Sequence, residues 1–222
     1  SDDRVHKHCV SYPRCGGCQM MHIKYEAGLE YKKKAFNDTL KRIGHIDFKA
    51  SKIIGMDKPN GYRNKIQMPI GKNNKSSDII LGYYAKGTHN VIPFKECYLQ
   101  SDNVSNLLLF VYELLKKYKV SAYDETLKNG CLRHLLIREN YKNELMLVFV
   151  SHEAKINCIN FIVSEIVKHY PKVISIIHNI NDKGTNVILG DRFNILYGLD
   201  EIEDKIGDVL YIGSATKISD II

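Results

Sequence analysis

The sequence predicts an α+β fold, built from a cysteine-rich loop, one long amphipathic helix and a mainly antiparallel α+β central domain. Three observations carry that expectation. Apolar residues recur at helical spacing in three segments. Elsewhere, short runs rich in β-branched and aromatic residues are broken by turn chemistry. The first stretch has neither period, and carries three cysteines around Pro13, Gly16 and Gly17.

Residues 1–23 therefore read as a loop wrapped around something. From Tyr25 to Ile43, the apolar residues Leu29, Phe36, Leu40 and Ile43 recur at helical spacing. Lys32, Lys33, Lys34, Lys41 and Arg42 fill the other faces, and Gly44 stops the run. Strand-like segments follow around Lys52–Gly55, Tyr62–Gly71, Asp78–Ala85 and Thr88–Pro93, with Lys72–Ser77 a polar loop among them. A second helix fits Ser101–Lys117, where Val104, Leu107, Leu108, Val111, Leu114 and Leu115 make one apolar stripe and the lysines at its end suit a helix C-terminus.

Cys131–Arg138 and Glu144–Ser151 predict a hairpin, followed by a third helix over Ala154–His169 that Pro171 stops. Further strands are expected at Val173–Asn179, Asn186–Leu189, Phe193–Tyr197 and Val209–Ile212, the last after the acidic stretch Asp200–Asp208. The run to SATKISDII has no closing helix, Gly cap or polar tail, and reads as a cut end. There is no internal repeat.

Charge is uneven along the chain. Residues 1–100 hold 18 Lys/Arg against 9 Asp/Glu, whereas residues 101–222 hold 14 against 16. A basic half suits a polyanion, nucleic acid above all, although a well-solvated basic surface has the same composition. No apolar run approaches the roughly 20 residues that span a bilayer, and SDDRVHKHC lacks the apolar core of a signal peptide. A soluble, cytoplasmic chain is expected, in which six cysteines stay mostly reduced.

Cys9, Cys15 and Cys18 form a C-x5-C-x2-C pattern, with two glycines that let the backbone fold tightly enough to aim three thiolates at one centre. Cys97, in FKECYLQ, is the natural fourth. Such a set suits an iron–sulfur cluster or structural zinc, and the single C-x2-C pair tilts the reading toward iron–sulfur. Unligated or catalytic thiols remain the alternative. His6, His8 and His22 are candidate substitutes for a thiolate, but lone histidines near a basic loop are more often solvated, while Cys131 and Cys158 read as inert thiols on a strand and a helix face.

Tyr62, Arg63, Asn64 and Lys65 place an aromatic, a guanidinium, an amide and an ammonium at one turn–strand junction, the combination that stacks a base, grips phosphate and reads a base edge. The competing reading is an exposed strand start. Gly82–His89 is a second such mixture. In Leu132–Arg138, Arg133 and Arg138 fall on opposite strand faces, so one of them should face a partner or a buried carboxylate.

Taken in order, C-x5-CGGCQMMH, YEAGLEYKKKAFNDTLKRIG, GYRNKIQMPIG, LGYYAKGTHNVIPFKECYLQ and LRHLLIRE resemble the RNA uracil-5-methyltransferases, specifically the iron–sulfur branch acting on 23S rRNA. Met21 departs from the family pattern, where a polar residue is common, and leaves the ligands untouched. The resemblance implies a [4Fe–4S] cluster on Cys9, Cys15, Cys18 and Cys97 and RNA-facing Tyr62, Arg63, Asn64 and Lys65; a monomer is expected. It divides the chain into a cluster loop (1–24), a helix that packs on a catalytic domain (25–44), a central RNA-recognition domain (45–199) and the start of that catalytic domain (200–222).

Family members carry S-adenosylmethionine on a Rossmann-like domain with a glycine-rich loop, a nucleophilic cysteine and a general base. No segment here matches that loop, and neither Cys131 nor Cys158 matches the nucleophile. The expectation is therefore that the Rossmann-like domain is absent, that no catalytic residue lies in the chain, and that this fragment is inactive while its parent methylates uridine. The alternative is a stand-alone metal-binding RNA or redox module.

Overall fold

The computed structural model describes residues 2–5, 9–73 and 78–214. Helix α1 (Tyr25–Arg42) buries only Gly28, and its end closes where Ile43 and Gly44 both donate to the Thr39 carbonyl. Residues 46–57 run back along it as an extended strap. The Ala50 N–H donates to Asn37 Oδ1 and the Met56 N–H to the Tyr25 hydroxyl, each at 2.8 Å. The strand expected at Lys52–Gly55 is this strap, whose backbone joins no ladder.

Strands β1 (Lys65–Lys72), β2 (Ile79–Tyr84) and β3 (Val91–Pro93) form an antiparallel meander. Helix α2 (Asp102–Lys117) starts at Ser101, whose Oγ accepts the Val104 N–H at 3.2 Å. Strands β4 (Leu132–Glu139) and β5 (Leu145–Ser151) are a hairpin, and Asn140 Oδ1 stitches its turn by accepting from the N–H groups of Lys142 and Glu144. Helix α3 (Ile159–His169) crosses to β6 (Val173–Ile180), and β7 (Arg192–Gly198), β8 (Glu201–Ile206) and β9 (Val209–Ser214) follow.

Seven strands make one sheet in the order β3-β2-β1-β4-β5-β6-β7, with β8 and β9 paired beside it. The expected fold, with no Rossmann-like part, is corrected by this sheet, although most of its strand pairs are antiparallel. It is mixed, because β5 and β6 run parallel. The only short way to join parallel neighbours is a crossover. β5–α3–β6 is thus a strand–helix–strand unit of the kind that Rossmann-like sheets repeat.

Burial explains the apolar runs. One face of the sheet packs Met68, Leu135, Leu147, Phe149 and Ile176 against Leu107, Leu108 and Val111 of α2 and Ile162 and Ile166 of α3. The other face buries Leu136, Met146, Val148 and Ile177 under Ile202 of β8. With both faces covered, β4 and β5 are buried at every position and lose the alternation of a half-exposed strand. Residues 200–214, expected to open another domain, lie docked on this sheet, while 215–222 and most of the Lys72–Ser77 loop fall outside the described residues.

Two further differences have local causes. α3 starts five residues later than expected because Cys158 holds φ at 55°, a left-handed conformation that a helix cannot continue through. No strand forms at Asn186–Leu189, since asparagine side chains take over its carbonyls: Asn181 Nδ2 donates to Val187 at 2.7 Å and to Ile188 at 2.9 Å.

Candidate metal centre

The four N-terminal and β3-proximal cysteines meet. Cys9, Cys15, Cys18 and Cys97 line one small pocket together with Met21, Arg63 and Tyr83, around a cavity of about 30 Å³. That is far below the several hundred Å³ of a pocket for an organic ligand. Two sets of backbone contacts bring them there. The Cys15 N–H donates to the Ser11 carbonyl at 2.9 Å, and the Gly16 N–H to Tyr84 at 2.9 Å, so the loop adds itself to the end of β2. Beyond β3 the Phe94 N–H continues the ladder onto Leu81 at 2.8 Å, which carries the chain directly into Cys97.

Two of the sulfurs contact backbone groups in a mostly apolar pocket. The Gly17 N–H points at Cys15 Sγ at 3.4 Å, and Cys9 Sγ donates to the Glu96 carbonyl at 3.7 Å. Burial, then the neighbouring Cys97 and Cys15, pushes the Cys18 thiol up, and Arg63 opposes this. Burial also pushes up Cys97, opposed by a hydrogen bond from the Leu99 backbone and by the neighbouring Tyr83 side chain. Among the described residues no three His, Cys, Asp or Glu side chains stand close enough to hold one ion as they are. The pocket thus gathers four soft donors on common walls without closing them on a centre. In donor chemistry the set fits a four-thiolate metal group, whose binding is what ordinarily closes such a loop.

His22 is engaged elsewhere, stacked on Tyr12 and hydrogen-bonded through Nδ1 to its hydroxyl. His6 and His8 fall outside the described residues. Cys131 is buried, its thiol pushed up to about 12 by burial, with Sγ on the Lys155 carbonyl at 3.6 Å. Cys158 Sγ contacts Asn157 Oδ1.

The cluster Tyr62–Lys65 is spread in four directions. Tyr62 stands half-exposed. The Arg63 side chain turns to the cysteine pocket. Asn64 Nδ2 reaches Asp204 Oδ2 at 3.4 Å, and the Asn64 carbonyl accepts the Glu139 N–H. Lys65 pairs across the ladder with Arg138, and burial, then that guanidinium, lowers its affinity for a proton. Beside the cysteine loop, Gly16, Gly17, Tyr84, Lys86, Gly87 and His89 line an open groove of about 570 Å³, with the Tyr84 and His89 rings 5.3 Å apart.

Sequence reasoning missed Gln100, and grouped Tyr83 with the RNA-type mixture at Gly82–His89 instead of the cysteine pocket. The Tyr83 hydroxyl donates to Gln100 Oε1 at 2.8 Å behind the cysteine pocket. Period-two alternation through Gly82-Tyr83-Tyr84 was the available signal, since it turns one tyrosine inward and one outward. No helix among the described residues is long and apolar enough to cross a membrane.

No family model matches the chain. It is 40% identical over 222 residues to an uncharacterized RNA methyltransferase of Staphylococcus aureus, covering 99% of this chain and 48% of that protein. It is 36% identical over 214 residues to one of Oceanobacillus iheyensis, covering 95% and 46%. Among solved structures, a Pyrococcus abyssi tRNA (uracil-54, C5)-methyltransferase in complex with S-adenosyl-L-homocysteine matches with a TM-score of 0.70 at 24% identity, over 96% of this chain and 46% of that one.

The chain spans about half the length of the curated relatives it matches. The structural match also withdraws the expectation that a Rossmann-like methyltransferase fold is missing here. Across nearly all of its own length, then, this chain is a homologue of bacterial proteins named as RNA methyltransferases.

Proposed function

We propose that this chain is the RNA-recognising part, bearing a cysteine-held [4Fe–4S] cluster, of an RNA (uracil-5-)-methyltransferase that uses S-adenosylmethionine and acts on 23S rRNA. One observation carries the reading. Three cysteines of the first loop and a distant fourth line a single pocket in a homologue of RNA methyltransferases. Cys9, Cys15, Cys18 and Cys97 would hold the cluster, which supplies a rigid cross-link between the N-terminal loop and the end of β3.

RNA meets the basic half. Tyr62 offers a ring for stacking, Asn64 and Lys65 flank it, and the groove of Tyr84, Lys86 and His89 continues the cationic and aromatic surface beside the cysteine loop. Arg63 belongs to the same segment and faces the thiols.

In the reaction, carbon 5 of uridine gains the methyl group, the donor becomes S-adenosylhomocysteine, and the carbon-5 proton passes to a base. The residues described here do not fit a cradle for that donor. β5 passes into α3 through His152–Cys158, a turn without glycine, so no residue of this chain is assigned to it.

Two measurements test the reading. Protein purified without oxygen is expected to be brown, with about four irons per chain; stoichiometric zinc and no iron would replace the cluster by a zinc site. Nucleoside analysis of cells lacking the gene is expected to show 5-methyluridine lost from 23S rRNA. Loss confined to tRNA would overturn the ribosomal assignment, and no loss from any RNA would overturn the methyltransferase reading.

A further inference from the structure

We propose that Arg63 is the charge-compensating residue of the cysteine site, positioned by its own backbone beside the thiols, so that its side chain serves metal retention rather than RNA contact. The inference rests on the metal-holding role proposed above and adds a residue to it. From sequence alone Arg63 belongs with Tyr62 and Lys65 as a phosphate contact. The structure separates it from them.

Its placement is fixed by the segment that carries Cys97. The Arg63 N–H donates to the Leu99 carbonyl at 2.8 Å, and Arg63 pairs with Gln100 in a parallel bridge. Gly61 is tied in the same way to Tyr98 at 2.8 Å. Residues 61–63 are therefore laced to residues 98–100, and Arg63 has no freedom to swing away with the RNA-facing turn. From that anchor its side chain lines the pocket beside Cys9, Cys15, Cys18, Cys97 and Tyr83. Among the described residues none of the ion pairs includes Arg63, and Glu96, the acidic residue on the pocket wall, is in none of them either.

Charge counting says why a cation belongs there. Four thiolates around a dipositive zinc ion, or around an oxidised four-iron cluster, leave a net charge of about −2 whichever metal is bound. A half-buried charge of that size needs a partner at close range. Arg63 is half-buried, cationic and fork-shaped, with donors for more than one sulfur. Tyr83, held by Gln100 on the same wall, completes a polar backing that a loop of cysteines and glycines lacks.

The test is metal retention in the full chain, read by a chelator competition on the zinc-loaded form and by visible absorbance of the anaerobic iron form. Arg63→Gln is expected to lose metal about 10–100-fold more readily, the range for residues that support metal ligands, with Arg63→Lys recovering part of the loss. The salt slope of RNA binding by the loaded Arg63→Gln protein is expected to be unchanged. Equal retention by wild type and Arg63→Gln would overturn the inference while leaving the metal site standing. So would a salt slope lowered by about 0.7–1, the signature of one lost phosphate contact. A wild-type chain that retains neither zinc nor iron would overturn the site itself. Urea denaturation of each variant separates loss of metal from loss of fold.

Discussion

Ser151 Oγ lies 2.6 Å from His178 Nε2, both side chains buried between the neighbouring parallel strands β5 and β6. The serine has one proton, and it goes to the Glu153 carbonyl at 2.5 Å. The imidazole is then the donor, through its Nε2–H. Ser151→Ala leaves the buried His178 imidazole without this partner and is expected to cost about 1–3 kcal/mol. Urea denaturation checks this, with the midpoint lowered and the slope unchanged.

A second histidine gives stability a pH dependence. Burial, then Arg133, lowers His134 to about 4, and its Nδ1 is buried without a partner. Burial lowers His178 as well. A histidine held neutral in the fold contributes stability that is present above the unfolded value of about 6.5 and is lost as pH falls toward its folded value. Between pH 6.5 and 4 the unfolded chain binds the extra proton, so stability must fall with pH. For His134 alone the full loss is roughly 3 kcal/mol. His134→Leu is expected to flatten that limb of a midpoint-against-pH curve, and an unaltered curve would remove His134 as its source.

The arginine expected to find a partner is Arg133. Its side chain is 4% exposed, and it donates to the carbonyls of Asn181, Lys183 and Thr185 and to Glu125 at 2.9 Å. Glu125 is 63% exposed, so water screens the ion pair and the carbonyls matter more. Arg133→Met is expected to destabilise by about 2–4 kcal/mol and Glu125→Gln by less than about 1 kcal/mol. Limited proteolysis within residues 181–190 should quicken in the first variant only.

Legibility followed the reach of the interaction. The α2 stripe was readable because a helix face repeats within its own sequence, and every residue of that stripe is buried. The direction of β6 relative to β5 was not, because a fully buried strand has the same apolar composition in a parallel or an antiparallel pair. β8 was hidden by its acidic composition. Asp204 is buried there because Asn64 Nδ2, the Tyr141 N–H and the Tyr211 hydroxyl reach it from other elements. The cysteines were legible as chemistry, whereas the direction of Arg63 depends on the backbone of residues 98–100 lying alongside it.

On the RNA side, Tyr62 and Lys65 should fail differently. Tyr62→Ala removes an exposed ring and is expected to cost about 1–3 kcal/mol of RNA affinity at every salt concentration if a base stacks on it. Lys65→Ala is expected to lower the salt slope by about 0.7–1. Filter binding across a salt series distinguishes the two, and unchanged affinity in both variants would move the RNA to the groove beside the cysteine loop.

Gly82 ties the sheet to the metal centre without touching a thiol. A Cβ there would sit 1.8 Å from the Ile92 carbonyl oxygen and 2.7 Å from its carbon, both backbone atoms of β3. Strand β3 has to move to admit it, and β3 is the element that carries the chain to Cys97. Gly82→Ala is therefore expected to weaken metal retention by 10-fold or more while the core around α2 stays folded, because a ligand displaced by a fraction of its bond length no longer completes the site. Gly87 is the control. It has φ of +69° with nothing within 4 Å of a Cβ, so Gly87→Ala meets only backbone strain of about 1 kcal/mol. Retention should then be near normal in the Gly87 variant and poor in the Gly82 variant, measured as metal remaining after chelator treatment. The reverse order would show that β3 does not position Cys97.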